Sequence, residues 1–310
     1  MSKIILVGSS YMAEEHLKVL KHLKHDVLVV GRNKERAEAL AQRYTCKGIG
    51  GGVDAIKDIN SYDASIVACS VESLKDVTIA LISKGMHRIL VEKPGALNLK
   101  ELQELRVAKS TDVRIAYNRR FYNSTLMLKK KIEDEGIEGL FFDFTEREKD
   151  IMLSKKSPEV LATWGYNNST HVIDTAFFLT GLPEEIYCER QGSWKQHPTG
   201  TVFAGHGRTS SCIFSYFASW SGGGRWTVEI STSKGRYKLC PLEELHFMAK
   251  NQFGWEKLES PDKDDENFKP GVLKMDRAFL EKNENFILLP DVAGQVALCN
   301  AANSIFGYDK

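Results

Sequence analysis

The 310-residue chain is 42% hydrophobic and 27% charged, the balance of a globular protein with ample core, and its length suggests two domains. Its 42 Lys and Arg almost cancel its 41 Asp and Glu, leaving a formal charge of +1. That argues against a nucleic-acid binder relying on a broad basic surface and against an acidic disordered tail. No apolar run approaches the ~18 residues of a membrane span, and the run 4–7 is too short for a signal peptide, so no membrane partner and a cytoplasmic location are expected. The cysteines (Cys46, Cys69, Cys188, Cys212, Cys240 and Cys299) are scattered without a C-x-x-C pair and read as reduced thiols. The histidines show no H-E-x-x-H and no zinc spacing, so no metal site is expected.

In chain order, residues 3–7 form an apolar run that meets Gly8 at once, as a buried parallel strand would. Residues 13–23 put Leu17, Leu20 and Leu23 on one helical face, 26–30 are a second β-branched run, and 34–43 are rich in helix formers. A strand at 64–68 precedes a helical pattern at 71–84 through Leu74, Val77 and Leu81. A strand at 88–91 leads to a helix from Leu99, whose Asn98-Leu-Lys-Glu101 resembles a capping box, and 113–116 complete the set. Strand–helix alternation implies right-handed crossovers and a doubly wound parallel sheet. Ligands bind beyond the carboxyl ends of such strands, which selects Gly8, Gly31-Arg32, Cys69-Ser70, Glu92-Lys93-Pro94 and Tyr117-Asn118.

From Arg119 the pattern changes. A helix at 122–134 precedes β-like runs at 139–146, 186–190, 201–206, 211–220, 226–232 and 237–239, and 291–306 are again helical. Consecutive strands predict an α+β domain with a mainly antiparallel sheet. The expected domains are 1–118 and 119–310, with 260–271 a solvated, linker-like loop.

The first strand–helix turn reads Gly8-Ser9-Ser10-Tyr11-Met12-Ala13, against the dinucleotide fingerprint G-x-G-x-x-G/A. Gly8 allows the tight turn, Ala13 lets helix and strand approach, and the helix N-terminus can face a pyrophosphate, so Gly8, Ser9, Ser10 and Met12 are candidate cofactor contacts. Ser10 stands where the second glycine normally admits the phosphate, and an ordinary tight turn is the alternative. The second strand ends Gly31-Arg32-Asn33, without the acid that usually bonds the NAD ribose. Arg32, with Asn33 beside it, suits a 2′-phosphate instead, because a charge-assisted hydrogen bond contributes about 1.5–3 kcal/mol. NADP(H) is thus favoured over NAD(H), with Arg32 as a solvated loop residue the alternative. Cys69 and Ser70 end the next strand on the same rim.

Val91-Glu92-Lys93-Pro94 places a charged pair between a buried strand and a proline. Proline restricts the preceding residue to an extended conformation, and an X-Pro bond can be cis, so the Lys93 side chain can be fixed in direction. A solvated Glu-Lys pair is the default reading; the position after a strand bordering the cofactor cleft raises the functional one.

The chain here resembles the glucose–fructose oxidoreductase, inositol dehydrogenase and rhizopine-catabolism (Gfo/Idh/MocA) family. The resemblance rests on Gly8 to Ala13, on KGMHRILVEKP at 84–94, on AYNRRF at 116–121 and on HVIDTAFFLTG at 171–181. It implies an N-terminal Rossmann domain, a C-terminal domain with an open, mainly antiparallel sheet that supports homo-oligomers, and a nicotinamide cofactor. It also implies oxidation or reduction of a hydroxyl or carbonyl on a sugar, nucleotide sugar or polyol. The family lysine maps onto Lys93 as the catalytic residue, and the family histidine onto His171, which opens a helix stopped at Gly181-Leu-Pro183. Lysine titrates near ~10.4 and as a base would need about 7–8; a protonated Lys93 would instead hold the substrate oxygen. Asp174, three residues after His171, takes an orienting or structural role.

The chain departs from the family at two positions. Many members carry an aspartate four residues before the histidine, where this chain has Asn167, and a histidine where it has Leu74. Asparagine can hydrogen-bond a sugar hydroxyl but cannot take its proton. Tyr117, Asn118, Asn167 and His171 are further candidate substrate contacts, and Arg119 and Arg120 form a doublet of which one, Arg120 by choice, could grip a carboxylate or phosphate. Trp164 and Tyr166 can stack on a sugar ring, with core packing the equal alternative. Two other readings stand beside the dehydrogenase: a reductase of an unrelated carbonyl or imine, and a non-catalytic protein that senses NAD(P).

Overall fold

The first six strands are short runs of mostly Val, Ile, Leu and Ala: β1 (Lys3–Val7), β2 (Asp26–Val30), β3 (Lys47–Ile49), β4 (Ala64–Val67), β5 (Arg88–Glu92) and β6 (Asp112–Ala116). The computed structural model describes residues 1–107, 111–259, 261 and 263–308. In β1, β2, β4 and β5 nearly every side chain is buried, as a strand covered on both faces requires. All six pair in parallel, in the order β3-β2-β1-β4-β5-β6, with helices Tyr11–His22, Lys34–Arg43 and Val71–Ser83 as crossovers. This is the doubly wound dinucleotide-binding order, with its switch point between β1 and β4. The five expected strands lie within two residues of their predicted bounds. The three-residue β3, Lys-Gly-Ile, has too little pattern to announce itself. Asn98 caps helix Leu99–Glu104 by accepting from Glu101 N at 2.9 Å, while the Glu101 carboxylate accepts from Leu97 N at 3.2 Å.

Two compact units make up the chain: Met1–Asn118 with Asp264–Val296, and Arg119–Lys263 with Ala297–Lys310. The expectation that 119–310 forms one piece is therefore corrected, because 264–296 packs with the first unit. Helix Val272–Glu281 buries Val272, Leu273, Met275, Ala278 and Phe279 there. The expected solvated loop at 260–271 is corrected too, since it contains the helix Lys263–Asn267; Ser260 and Asp262 lie outside the described residues.

The second unit is built on β7 (Gly139–Asp143), β8 (Pro183–Gln191), β9 (Val202–Thr209), β10 (Ile213–Ser219), β11 (Thr227–Thr232), β12 (Gly235–Leu239), β13 (Leu245–Ala249) and β14 (Glu256–Leu258). Their order is β14-β13-β12-β11-β7-β10-β9-β8, antiparallel except for β7 beside β10. β13 and β14 were not expected from the sequence. β10 alternates exposed and buried residues, so Phe214, Tyr216 and Ala218 face a core also holding Phe142, Phe144 and Phe177. Each such aromatic contributes roughly 1.5–3 kcal/mol by leaving water. Helix Thr170–Thr180 buries ten of its side chains and packs on β7 and β11.

Among the described residues, no helix is long and apolar enough to cross a membrane, all six cysteines are free, and no His/Cys/Asp/Glu cluster could hold a metal ion.

Candidate functional site

At the switch point of the first sheet lies an open cavity of about 290 Å³. Gly8, Ser9, Ser10, Arg32, Asn33, Cys69 and Ser70 line it, all expected from the sequence, together with Arg36, Gly52 and Ser73, which were not. Gly8 adopts φ +138°, and a Cβ there would lie 2.2 Å from the Ala68 carbonyl oxygen and 3.3 Å from Ala13 Cβ. Strand β4 and the first helix thus close on a position only glycine fills.

Ser10 is the N-cap of helix Tyr11–His22 but makes no capping bond; its hydroxyl donates to Ala68 O at 3.3 Å. The first-turn amides are therefore not claimed by the cap, and a helix N-terminus with such amides favours an anion. Asn33 caps the next helix, accepting from Arg36 N at 2.8 Å, and Ser70 shares a hydrogen bond with Ser73 at 3.2 Å. Burial pushes the Cys69 thiol up to about 11, which makes it a neutral wall. Small residues, amide donors and an exposed guanidinium on this rim fit a dinucleotide. Met12, Glu92, Lys93 and Pro94, also expected at the cofactor, do not line this cavity.

Glu92 ends β5 and is tied to a residue that the sequence reading overlooked. His16 is fully buried; its Nδ1 donates to both Asp276 carboxylate oxygens at 2.9 Å and its Nε2 to Glu92 Oε1 at 3.2 Å. Burial drives the imidazole's pKa down, yet the carboxylates of Asp276 and Glu92 outweigh it and raise the pKa to about 10. His16 is thus an imidazolium at neutral pH, donating at both nitrogens. The available signal was a histidine and an aspartate on otherwise apolar helix faces. Nothing in the spacing linked them.

Lys93 is half-buried, and the Lys93–Pro94 bond is cis. Behind it, Gln295 Nε2 donates to Pro94 O at 3.0 Å and to Tyr117 Oη at 3.1 Å. Tyr117 is fully buried, and Asn118 Nδ2 donates to Pro270 O at 3.0 Å. Both were expected at a polyol; in the structure Tyr117 meets Gln295 and Asn118 meets the Pro270 carbonyl.

In the second unit, a single π-helical turn, Gly165–Ser169, runs into helix Thr170–Thr180 and so delivers His171. Such turns concentrate at functional sites. Within it, Asn167 Nδ2 donates back to Thr163 O at 2.9 Å, Thr163 Oγ1 at 3.1 Å and Val160 O at 3.3 Å. A Cβ on Gly165 would lie 2.4 Å from the Phe306 ring, so only glycine permits that approach. The Asn167 side chain, expected at substrate, is thus bonded through its nitrogen to the turn before it.

Buried Glu146 organises the neighbourhood, accepting from Trp164 Nε1 at 2.7 Å, Asn168 Nδ2 at 2.8 Å and Ser169 Oγ at 2.6 Å. Beside it is a cavity of about 470 Å³ whose walls include Arg119, Glu146, Trp164, Asn168 and Trp226. The His171 ring, 7% exposed, lies 6.0 Å from that of Trp226. Of the arginine doublet, Arg120 is bound to fully buried Asp174 through Nε–Oδ2 at 2.9 Å and Nη2–Oδ1 at 2.6 Å. Burial pushes the Asp174 carboxyl up and the guanidinium opposes it. Arg120, the member of the doublet expected at an anion, is thus bonded to Asp174, and Arg119 lines the cavity. Tyr166, expected against a sugar ring, is buried against Tyr308.

Residues 2–118 match a family model, GFO_IDH_MocA, described as an oxidoreductase family with an NAD-binding Rossmann fold. No curated protein matches the chain. Among solved structures, UDP-N-acetylglucosamine 3-dehydrogenase GnnA from Acidithiobacillus ferrooxidans is 15% identical, with a TM-score of 0.77 over 99% of this chain and 97% of that one. An oxidoreductase from Agrobacterium radiobacter, in complex with NAD+, L-tartaric acid and magnesium, is 14% identical, with a TM-score of 0.79 over 99% and 95%. A dehydrogenase (MviM) from Clostridium difficile is 16% identical, with a TM-score of 0.77 over 98% and 99%. At these identities the likeness establishes the fold along the whole chain. Residues 2–118 thus carry the likeness to the Gfo/Idh/MocA oxidoreductase family, with its NAD-binding Rossmann fold.

Proposed function

We propose that this oxidoreductase moves a hydride between a nicotinamide cofactor and a hydroxyl or carbonyl carbon of a sugar, nucleotide sugar or polyol. The observation that carries the reading is the glycine-closed cavity at the β1–β4 switch point, where backbone amides and small side chains suit a pyrophosphate. The Acidithiobacillus neighbour, a UDP-N-acetylglucosamine 3-dehydrogenase, supports the sugar class. The nicotinamide, when bound, supplies the hydride acceptor or donor.

A hydroxyl carbon releases hydride only as its oxygen loses a proton, so a group must hold or take that proton. Lys93 is our candidate at the substrate oxygen: it follows a strand end braced by Glu92 and precedes a proline braced by Gln295. His171 is our candidate for passing the proton onward, and Trp226 beside it gives the substrate ring an apolar wall. Arg32 and Arg36 at the cofactor rim, with no acid in the NAD position, support NADP(H) over NAD(H). The open face of the second sheet exposes Phe141, Ile213 and Phe217, which supports a homo-oligomer through that sheet. A cytoplasmic location agrees with six free thiols.

The test is a titration with NADPH and NADH followed by a panel of sugars, nucleotide sugars and polyols, on wild type and on Lys93→Ala and His171→Ala. Turnover lost in either variant while cofactor still binds supports the reading. A wild type that binds cofactor yet turns over nothing on the panel points to the sensing role.

A further inference from the structure

We propose that the second-unit cavity binds an oxyanion, a phosphate or carboxylate carried by the substrate, through the Arg119 guanidinium. The assignment to substrate rests on the oxidoreductase reading; the anion site itself does not.

Arg119 and Arg120 are adjacent but differently placed. Arg120 has a buried carboxylate on two of its nitrogens. Arg119 is half-buried, its Nε is out of solvent, and among the described residues it has neither an ion-pair partner nor a side-chain hydrogen bond. Its guanidinium carbon lies 5.1 Å from the centroid of the Trp226 ring and 5.9 Å from that of Tyr122. Stacking on an aromatic face steadies a guanidinium without satisfying its N–H donors. Such a cation beside a cavity calls for an acceptor, and a planar fork of donors matches an oxyanion bidentately.

The remaining charges do not supply that acceptor. Of the three carboxylates around the cavity, Glu146 already accepts from Trp164, Asn168 and Ser169, and Asp150 lies 3.6 Å from Arg147. Glu243 is exposed at the rim, as is Arg225, for which no ion pair is found among the described residues. Arg119 is thus the inner cation left over. Trp226, which carries it, also neighbours His171, so the anion would sit on the same wall as the candidate proton-transfer residue.

The test uses cofactor-loaded protein, whose Trp164 and Trp226 report on the cavity by fluorescence, titrated with glucose 6-phosphate, glucuronate and glucose. At least one anion should bind about tenfold or more tightly than glucose, since a hydrogen bond to a charged group is worth that factor or more. Arg119→Gln should abolish the difference, and Arg119→Lys should retain part of it. Which anion binds better decides between phosphate and carboxylate. Equal affinity for all three, no response to either anion, or full anion binding in Arg119→Gln overturns the proposal. Absence of hydride transfer to any panel substrate would instead sink the oxidoreductase reading, and leaves the fluorescence result standing.

Discussion

His16 and Asp276 are 260 positions apart and meet in the interior of the first unit, where the imidazole holds both carboxylate oxygens at 2.9 Å. With Glu92 on the other ring nitrogen, a single cation joins the first crossover helix, the helix Val272–Glu281 and the end of β5. The residue after Glu92 is Lys93. The charges that seat the 264–296 segment therefore also brace the strand end from which the candidate catalytic lysine departs.

Removing one partner of a buried pair leaves the other uncompensated, at a cost of about 3–5 kcal/mol. Asp276→Asn should accordingly destabilise the first unit by that order in urea unfolding. A loss below about 1 kcal/mol would mean that the triad is solvated in solution.

The same triad sets a pH dependence. The folded pKa of His16 is raised from the ordinary imidazole value of 6.5 to about 10, so its contribution to stability is complete below 6.5 and is lost as pH rises through 10. The denaturation midpoint should fall between pH 7 and 10, and His16→Gln should flatten that portion of the profile. An unchanged profile in the variant would assign the fall to other groups.

Gly8→Ala forces a Cβ to 2.2 Å from Ala68 O at φ +138°. A cost of roughly 1–3 kcal/mol and loss of NAD(P)H binding are expected, read by thermal unfolding and nicotinamide fluorescence. Ser10→Gly should keep binding, because among the described residues the Ser10 hydroxyl bonds only Ala68 O, at 3.3 Å. Loss of cofactor in Ser10→Gly would instead give that hydroxyl a phosphate contact.

Arg32→Asp places a carboxylate where an NAD ribose is usually bonded and repels a 2′-phosphate. NADPH affinity should fall about tenfold or more, with NADH affinity equal or improved. Equal losses for both cofactors would make Arg32 a general electrostatic contributor.

Glu146→Gln leaves one acceptor oxygen for three donors that now share a carboxylate. Destabilisation of about 1–3 kcal/mol is expected, with a changed near-ultraviolet circular dichroism signal from Trp164. An unaltered spectrum would show that the indole is held by packing alone.

The parallel sheet was legible because continuous Val/Ile/Leu runs ending at Gly8, Gly31 and Cys69 have few other uses, and the switch-point rule then named most of the cofactor rim. Local pattern also fixed helix Lys34–Arg43 and the helix led by His171. What it could not fix was which polar side chains find each other across the fold. Asp276 with His16, Asn118 with the Pro270 carbonyl and Gln295 with Pro94 are pairings between distant segments, and each is dictated by the need to satisfy a buried polar group. The same need divided the arginine doublet. Asp174, fully buried three residues after His171, takes Arg120 as its counter-charge, and that leaves Arg119 for the cavity. Sequence determined the sheet and its rim through short-range periodicity; tertiary structure decided the division of labour among buried charges, because desolvation acts only once distant chain segments are brought together.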